Sequence, residues 1–240
     1  MKIRFILLDY DDTMARTEVL ALGRAYDLLV EVLRDHYGLS VNHSKEHHID
    51  KFAGTTFREI LLQLGPQLGF EVEEEDMNRF VRREVEAVLE VLGNSLTPMP
   101  GSIEMLESLQ AAGIVSTVVS SSATKRLQAC LNCTGQNKFI ADHLIFSASD
   151  SMPTSISKPD PAIYKFALAE IGVGADEVVA VEDSLSGVKS AVGAGISCIG
   201  FTGAIVDPER KAIRHQQLAE VGAFMVVDDL REIMGVIQGA

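Results

Sequence analysis

Ile3-Arg4-Phe5-Ile6-Leu7-Leu8-Asp9-Tyr10-Asp11-Asp12-Thr13 decides how this chain is read. Its apolar part, Ile3 to Leu8 interrupted only by Arg4, has the length and composition of a buried strand. Where the run stops, two carboxylates, Asp9 and Asp11, stand two residues apart. In an open α/β sheet, ligands bind at the carboxyl ends of the strands. A carboxylate in that place can act as a covalent nucleophile. A second one, two residues on, can protonate a leaving group and then deprotonate a water. Asp is also common in turns, so the pentapeptide alone fits an ordinary acidic turn as well. Groups far downstream have to decide between the two.

The 240 residues suffice for one sizeable core with a smaller insert. A hydrophobic content of 47% with 23% charged residues is ordinary globular composition. The net charge of −13 argues against nucleic acid and anionic membrane as partners, because both need a basic face. An acidic protein that binds a phosphate ester must supply positive charge locally, from a metal or a well-placed Lys. No apolar run approaches a membrane span and no cleavable signal follows the basic N-terminus, so a cytoplasmic protein is expected. Cys130 and Cys133 form a C-x-x-C without a second pair or His at zinc spacing, and all three cysteines read as reduced thiols.

Beyond Thr13 the apolar period becomes helical, from Glu18 to His36, from Phe57 to about Leu64, and from Glu73 to Leu92. A polar stretch, Gly38 to Asp50, intervenes, and its His43, His47 and His48 read as a solvated face. Strand signals are scarce between 15 and 95, which predicts a helical insert there. Thr97-Pro98-Met99-Pro100-Gly101 reads as a linker. After it, strands (Ile114 to Val119, His143 to Phe146, Val178 to Val181, Ile196 to Gly200, Phe224 to Val227) alternate with helices, the pattern of a parallel sheet covered on both faces.

Three further stretches carry polar groups to the edge where Asp9 emerges: Ser120-Ser121-Ser122, Ser157-Lys158-Pro159, and Glu182-Asp183-Ser184. Each alone fits helix capping or a solvated charge. Together they describe a site. Asp9, Asp183, Glu182 and a backbone carbonyl near Asp11 offer ligands for a hard cation such as Mg²⁺. Lys158 adds a fixed positive charge, and Ser120, with Ser121 beside it, adds hydroxyl donors for a phosphoryl group.

In this order the motifs Asp-x-Asp-x-Thr, Ser after the second strand, Lys-Pro, and Val-Glu-Asp-Ser-x-x-Gly (Val181 to Gly187), with Pro100-Gly101 before the second strand, resemble the haloacid dehalogenase superfamily. They are similar to its β-phosphoglucomutase-like and phosphoglycolate-phosphatase-like branch. The resemblance implies a Rossmann-like α/β core at 1–14 and 96–240 with a helical cap domain at 15–95. It implies Asp9 as nucleophile, Asp11 as general acid/base, Asp183 as a Mg²⁺ ligand, and Ser120 and Lys158 on the transferring phosphoryl group. Asp12 stands where the family most often has Gly; Asp is among the few residues that enter the left-handed backbone region at modest cost.

Asp11 favours phosphoryl transfer over dehalogenation, since an alkoxide leaving group needs a proton and a halide does not. The mutases of this branch carry a cap Gly-x-Ser-Arg, where this chain has Gly54-Thr55-Thr56-Phe57 with Arg58 next, and a cap His where it has Ala21. The expectation is therefore a Mg²⁺-dependent phosphatase acting on a small phosphorylated metabolite, as a monomer or weak homodimer, with Thr55, Thr56 and Arg58 as candidate substrate contacts. A phosphosugar mutase and a non-catalytic phosphate- or metal-sensing module are the alternatives.

Overall fold

The computed structural model describes residues 3–52 and 55–239. In chain order the elements are β1 (Phe5–Leu8), α1 (Thr17–Tyr37), α2 (Lys45–Phe52), α3 (Phe57–Leu68), α4 (Glu74–Ser95), α5 (Ser102–Ala111), β2 (Val115–Ser120), α6 (Thr124–Thr134), β3 (Ile145–Ser147), α7 (Ala162–Ile171), β4 (Val178–Glu182), α8 (Leu185–Gly193), β5 (Ser197–Phe201), α9 (Pro208–Glu220), β6 (Met225–Val227) and α10 (Ile233–Gly239). The strands form one parallel sheet ordered β3-β2-β1-β4-β5-β6.

β1 lies in the middle of the sheet, with Leu7 opposite Thr117 on β2 and Ala180 on β4. Ile6, Leu7 and Leu8 have no exposed surface. An unbroken apolar run is what a parallel strand covered on both faces requires. Each such side chain contributes about 1.5–3 kcal/mol when fully buried. The strand order reverses between β1 and β4, and a crevice opens at such a reversal, outside the carboxyl ends of the strands. The residues that follow β1 and end β4, Asp9 and Glu182-Asp183, stand at that point.

The chain divides into two compact units: the stretch up to Arg16 together with Thr97 onward, and Thr17–Leu96. Ala15 is tied to the sheet-bearing unit by an isolated bridge to Pro98, and the Met99 N–H donates to the Met14 carbonyl at 2.9 Å. The second unit holds α1 to α4, and its core joins Leu28, Leu29 and Val32 of α1 to Ile60 and Leu61 of α3 and Phe80 of α4. α3 runs past Gly65 and Pro66 to Leu68, further than its apolar period predicts, and left-handed Gly69 ends it.

Two stretches differ from the sequence reading. The polar segment before Asp50 contains α2, and His48 is fully buried rather than solvated. Its ring packs against Tyr26 and Phe52, and its Nδ1 lies 3.1 Å from His43 Nε2. Burial in that apolar setting draws the His48 pKa down to about 4, which keeps the ring neutral. The second stretch is α9, which has no counterpart in the sequence reading. Its signals are local: Asp207 caps it by accepting from the Arg210 N–H at 2.8 Å, and Pro208 takes the first helical position. Leu218 is its one buried residue, so its apolar stripe is too thin to show a period.

Candidate active site

Asp9 directly follows β1, and its carboxylate is almost covered. Lys158, on the loop before α7, places Nζ 2.7 Å from Asp9 Oδ1, 2.6 Å from Glu182 Oε1 and 2.8 Å from the Val119 carbonyl. An ammonium has three hydrogens, and here each meets an acceptor. The lysine is thus a fixed charge with 4% of its side chain exposed. Burial alone would pull its pKa down, but Asp9 and Glu182 more than offset this and hold it raised. Burial pushes the Asp9 carboxyl up to about 7 against the pull of Lys158, with Glu182 and Asp11 adding to the rise. Burial likewise raises Asp183 well above the ordinary carboxylate range, helped by Asp9 and Glu182.

Glu182, the last residue of β4, is fully buried. Its Oε1 also accepts from the Tyr164 hydroxyl, a partner the sequence did not reveal, while Oε2 has no hydrogen-bond partner among the described residues. Burial and the Glu182 charge both raise the Tyr164 pKa, so the phenol stays a donor. The reason for Gly187 in the Val-Glu-Asp-Ser-x-x-Gly motif lies here. A Cβ on it would sit 1.7 Å from Glu182 Oε2 and 2.2 Å from Cδ. Gly187→Ala is therefore expected to displace the Glu182 carboxylate, break its pairing with Lys158, and cost about 3–5 kcal/mol of stability. Gly235→Ala on α10, where a Cβ meets nothing within 4 Å, is the control. Equal denaturation midpoints for the two variants would mean that Glu182 relaxes freely.

One oxygen each from Asp9, Glu182 and Asp183 lie within 4.8 Å of one another, a set of hard donors. Among the described residues Lys158 is the one side-chain cation ion-paired with these three carboxylates, so two negative charges have no such counter-ion when all are ionised. The donor chemistry and this charge shortfall both fit a divalent cation. Thr13 Oγ1 donates to Asp183 Oδ1 at 3.4 Å, and Arg214 of α9 donates to the Asp183 carbonyl at 3.1 Å. Asp12 adopts φ 54°, and its N–H donates to the Ala15 carbonyl at 2.8 Å. Asp tolerates the left-handed backbone that this turn needs.

Asp11 is turned toward α6. Its Oδ2 accepts from Ser122 Oγ at 2.5 Å and its Oδ1 from Arg126 Nη2 at 2.6 Å. Ser120, at the end of β2, is buried, and its Oγ accepts from the Ser122 N–H at 3.1 Å, which leaves its own hydrogen to be donated. Ser121 is exposed. No motif or spacing in the sequence marks Arg126 as a partner of Asp11.

The matched family model, haloacid dehalogenase-like hydrolase, covers residues 6–201. This chain belongs to that family. A structure of a conserved haloacid dehalogenase-like protein from Agrobacterium tumefaciens superposes with a TM-score of 0.75 at 27% identity, covering 99% of this chain and 98% of that one. Among curated relatives, protein CbbY of Cereibacter sphaeroides is 32% identical over 139 residues, 57% of this chain and 55% of that protein, so the matched stretch spans about half of CbbY. The 6-phosphogluconate phosphatase of Escherichia coli K12 is 24% identical over 217 residues, 90% of this chain and 89% of that protein.

The helical-unit residues expected to touch substrate have local roles. Thr56 is the N-cap of α3 in a reciprocal capping box with Glu59. Arg58 pairs with Glu74 at 2.7 Å with 43% of its side chain exposed. Thr55 is half-buried, and its N–H donates to the Phe52 carbonyl at 2.9 Å. Gly54 of the same motif lies outside the described residues.

Proposed function

We propose that this chain is a Mg²⁺-dependent phosphatase that hydrolyses small phosphomonoesters through a phosphorylated Asp9. The observation that carries this reading is the meeting of Asp9, Asp183 and Lys158 at the reversal of strand order. The likeness to a phosphatase named for a sugar acid phosphate supports the substrate class.

In this mechanism an Asp9 oxygen attacks phosphorus and the bond to the ester oxygen breaks. Asp11, carrying a proton, gives it to the departing alkoxide and becomes a carboxylate. It then takes a proton from the water that attacks the aspartyl-phosphate. Phosphate leaves, and Asp9 is regenerated. Lys158 redirects the hydrogen bond it now donates to Asp9 toward a phosphoryl oxygen and keeps its proton, while Glu182 and the Val119 carbonyl hold its ammonium in place. Ser120 donates its hydroxyl hydrogen to a second phosphoryl oxygen. Asp9 and Asp183, with the backbone carbonyl of Asp11, would hold Mg²⁺, which when bound neutralises charge between nucleophile and phosphate. Glu182, whose Oε1 is taken by Lys158 and Tyr164, serves chiefly to fix Lys158. The helical unit, inserted between β1 and α5, acts as the cap that selects among esters.

The test is phosphate release from a panel of phosphorylated metabolites and an aryl phosphate. Chelation is expected to remove activity and Mg²⁺ to restore it. Ca²⁺ is expected to support little turnover, because it relaxes the coordination geometry. Full activity in chelator overturns the metal requirement. Absence of phosphate release from every ester with Mg²⁺ present favours a sensing module instead.

A further inference from the structure

Arg126 lies in the first turn of α6, Ser122 on the loop just before that helix, and the two residues close a ring around Asp11. Arg126 Nη2 donates to Asp11 Oδ1 at 2.6 Å, Arg126 Nη1 donates to Ser122 Oγ at 2.7 Å, and Ser122 Oγ donates to Asp11 Oδ2 at 2.5 Å. The guanidinium hydrogen bonds go to these two residues, and its buried Nε has no hydrogen-bond partner among the described residues. An arginine anchored for the sake of packing would be expected to have that nitrogen satisfied, because an unpaired buried donor costs free energy. Arg126 instead presents one edge of its fork to Asp11 and to the serine that also holds Asp11.

The geometry points to Arg126 as a positioning residue for Asp11: with Ser122 it sets the direction of the Asp11 carboxylate, and it acts on the reaction through Asp11 rather than through the substrate. This rests on Asp11 being the acid/base of the phosphatase reading. A guanidinium has donors only and a planar fork; with Nη2 on Asp11 Oδ1 and Nη1 on Ser122 Oγ, it fixes one carboxylate oxygen directly and the other through the serine. Ser122 is suited to the third corner because a hydroxyl donates to Asp11 while accepting from Arg126. A carboxyl group that must reach a leaving-group oxygen in one step and a water in the next gains from a defined starting orientation. Small misplacements of such groups are costly in rate.

The experiment measures single-turnover phosphorylation of the Mg²⁺-loaded enzyme by an alkyl phosphate and by an aryl phosphate. The variants are Asp11→Asn, Arg126→Ala, Arg126→Lys and the double variant Asp11→Asn/Arg126→Ala, with thermal midpoints recorded for each. Arg126→Ala is expected to slow the alkyl ester by ~10- to 100-fold while the aryl ester changes little. It should have almost no further effect once Asp11 is Asn. Arg126→Lys should recover only part of the alkyl rate, because an ammonium lacks the fork. Added guanidinium ion should raise the rate of Arg126→Ala but not of the double variant.

Equal losses on both esters, additive with Asp11→Asn, would assign Arg126 to substrate binding or to α6 and overturn the proposal. So would an Arg126→Lys variant that folds and matches the wild type. The underlying reading fails separately: if Asp11→Asn itself does not distinguish the two esters, Asp11 is not the acid. If Asp11→Asn distinguishes them and Arg126→Ala does not, only the positioning role is lost.

Discussion

Asp9→Asn is expected to lose at least ~10⁴-fold in kcat while keeping its fold, the scale on which removal of a nucleophile acts. The amide is close in shape to the carboxylate but carries no charge with which to attack phosphorus. Stability should survive for reasons visible in the site. Lys158 keeps Glu182 as its counter-ion at 2.6 Å and the Val119 carbonyl at 2.8 Å. The amide oxygen can still accept from Nζ. One of the crowded buried carboxylates is also removed, and burial had already pushed the Asp9 carboxyl up to about 7. Acid-quenched wild type should retain a phosphoryl group that the variant lacks. An Asp9→Asn enzyme with more than about a hundredth of wild-type kcat would rule out covalent catalysis by this residue.

What was legible in the sequence follows from the kind of signal each feature leaves. β1 and β4 are covered on both faces, so they read as continuous apolar runs. The groups that end them are conspicuous because they are acidic where the core stops. That is why Asp9, Glu182 and Asp183 could be singled out, and with them the α/β class. α9 left no such trace, since one buried leucine makes no period, and only its capping residues announced it. His48 misled for the opposite reason: three histidines among charged residues look solvated, but an eight-residue helix turns one of them into an aromatic core.

Pairings that depend on the third dimension were beyond the sequence. Arg126 reaches Asp11 from 115 positions away, and nothing in the spacing of either residue foretells it. Tyr164 was invisible as a Glu182 partner in the same way, because a tyrosine inside a helix reads first as core. Gly187 belongs to a motif legible in the sequence, yet its purpose, leaving room for the Glu182 carboxylate, depends on a distance that only the folded chain possesses.

The second large effect concerns the leaving group. Asp11→Asn is expected to slow phosphorylation by an alkyl phosphate by about 10²–10⁴-fold, the usual worth of general acid catalysis and equivalent to about 3–5 kcal/mol of barrier. An alkoxide is strongly basic and cannot depart without a proton, whereas a nitrophenolate is already stable near neutral pH. The aryl ester should therefore lose far less. Folding should be unaffected, since the amide oxygen can still receive the Arg126 or Ser122 hydrogen that the carboxylate receives now. Steady-state kcat can hide the contrast. Asp11 also takes the proton from water when the aspartyl-phosphate is hydrolysed, and that step is common to both esters. The comparison belongs in single-turnover formation of the phospho-enzyme, or in kcat/KM, which reports only through the first irreversible step. Equal losses for the two esters there would make Asp11 a residue that shapes the loop or the metal site, with the leaving-group proton coming from elsewhere.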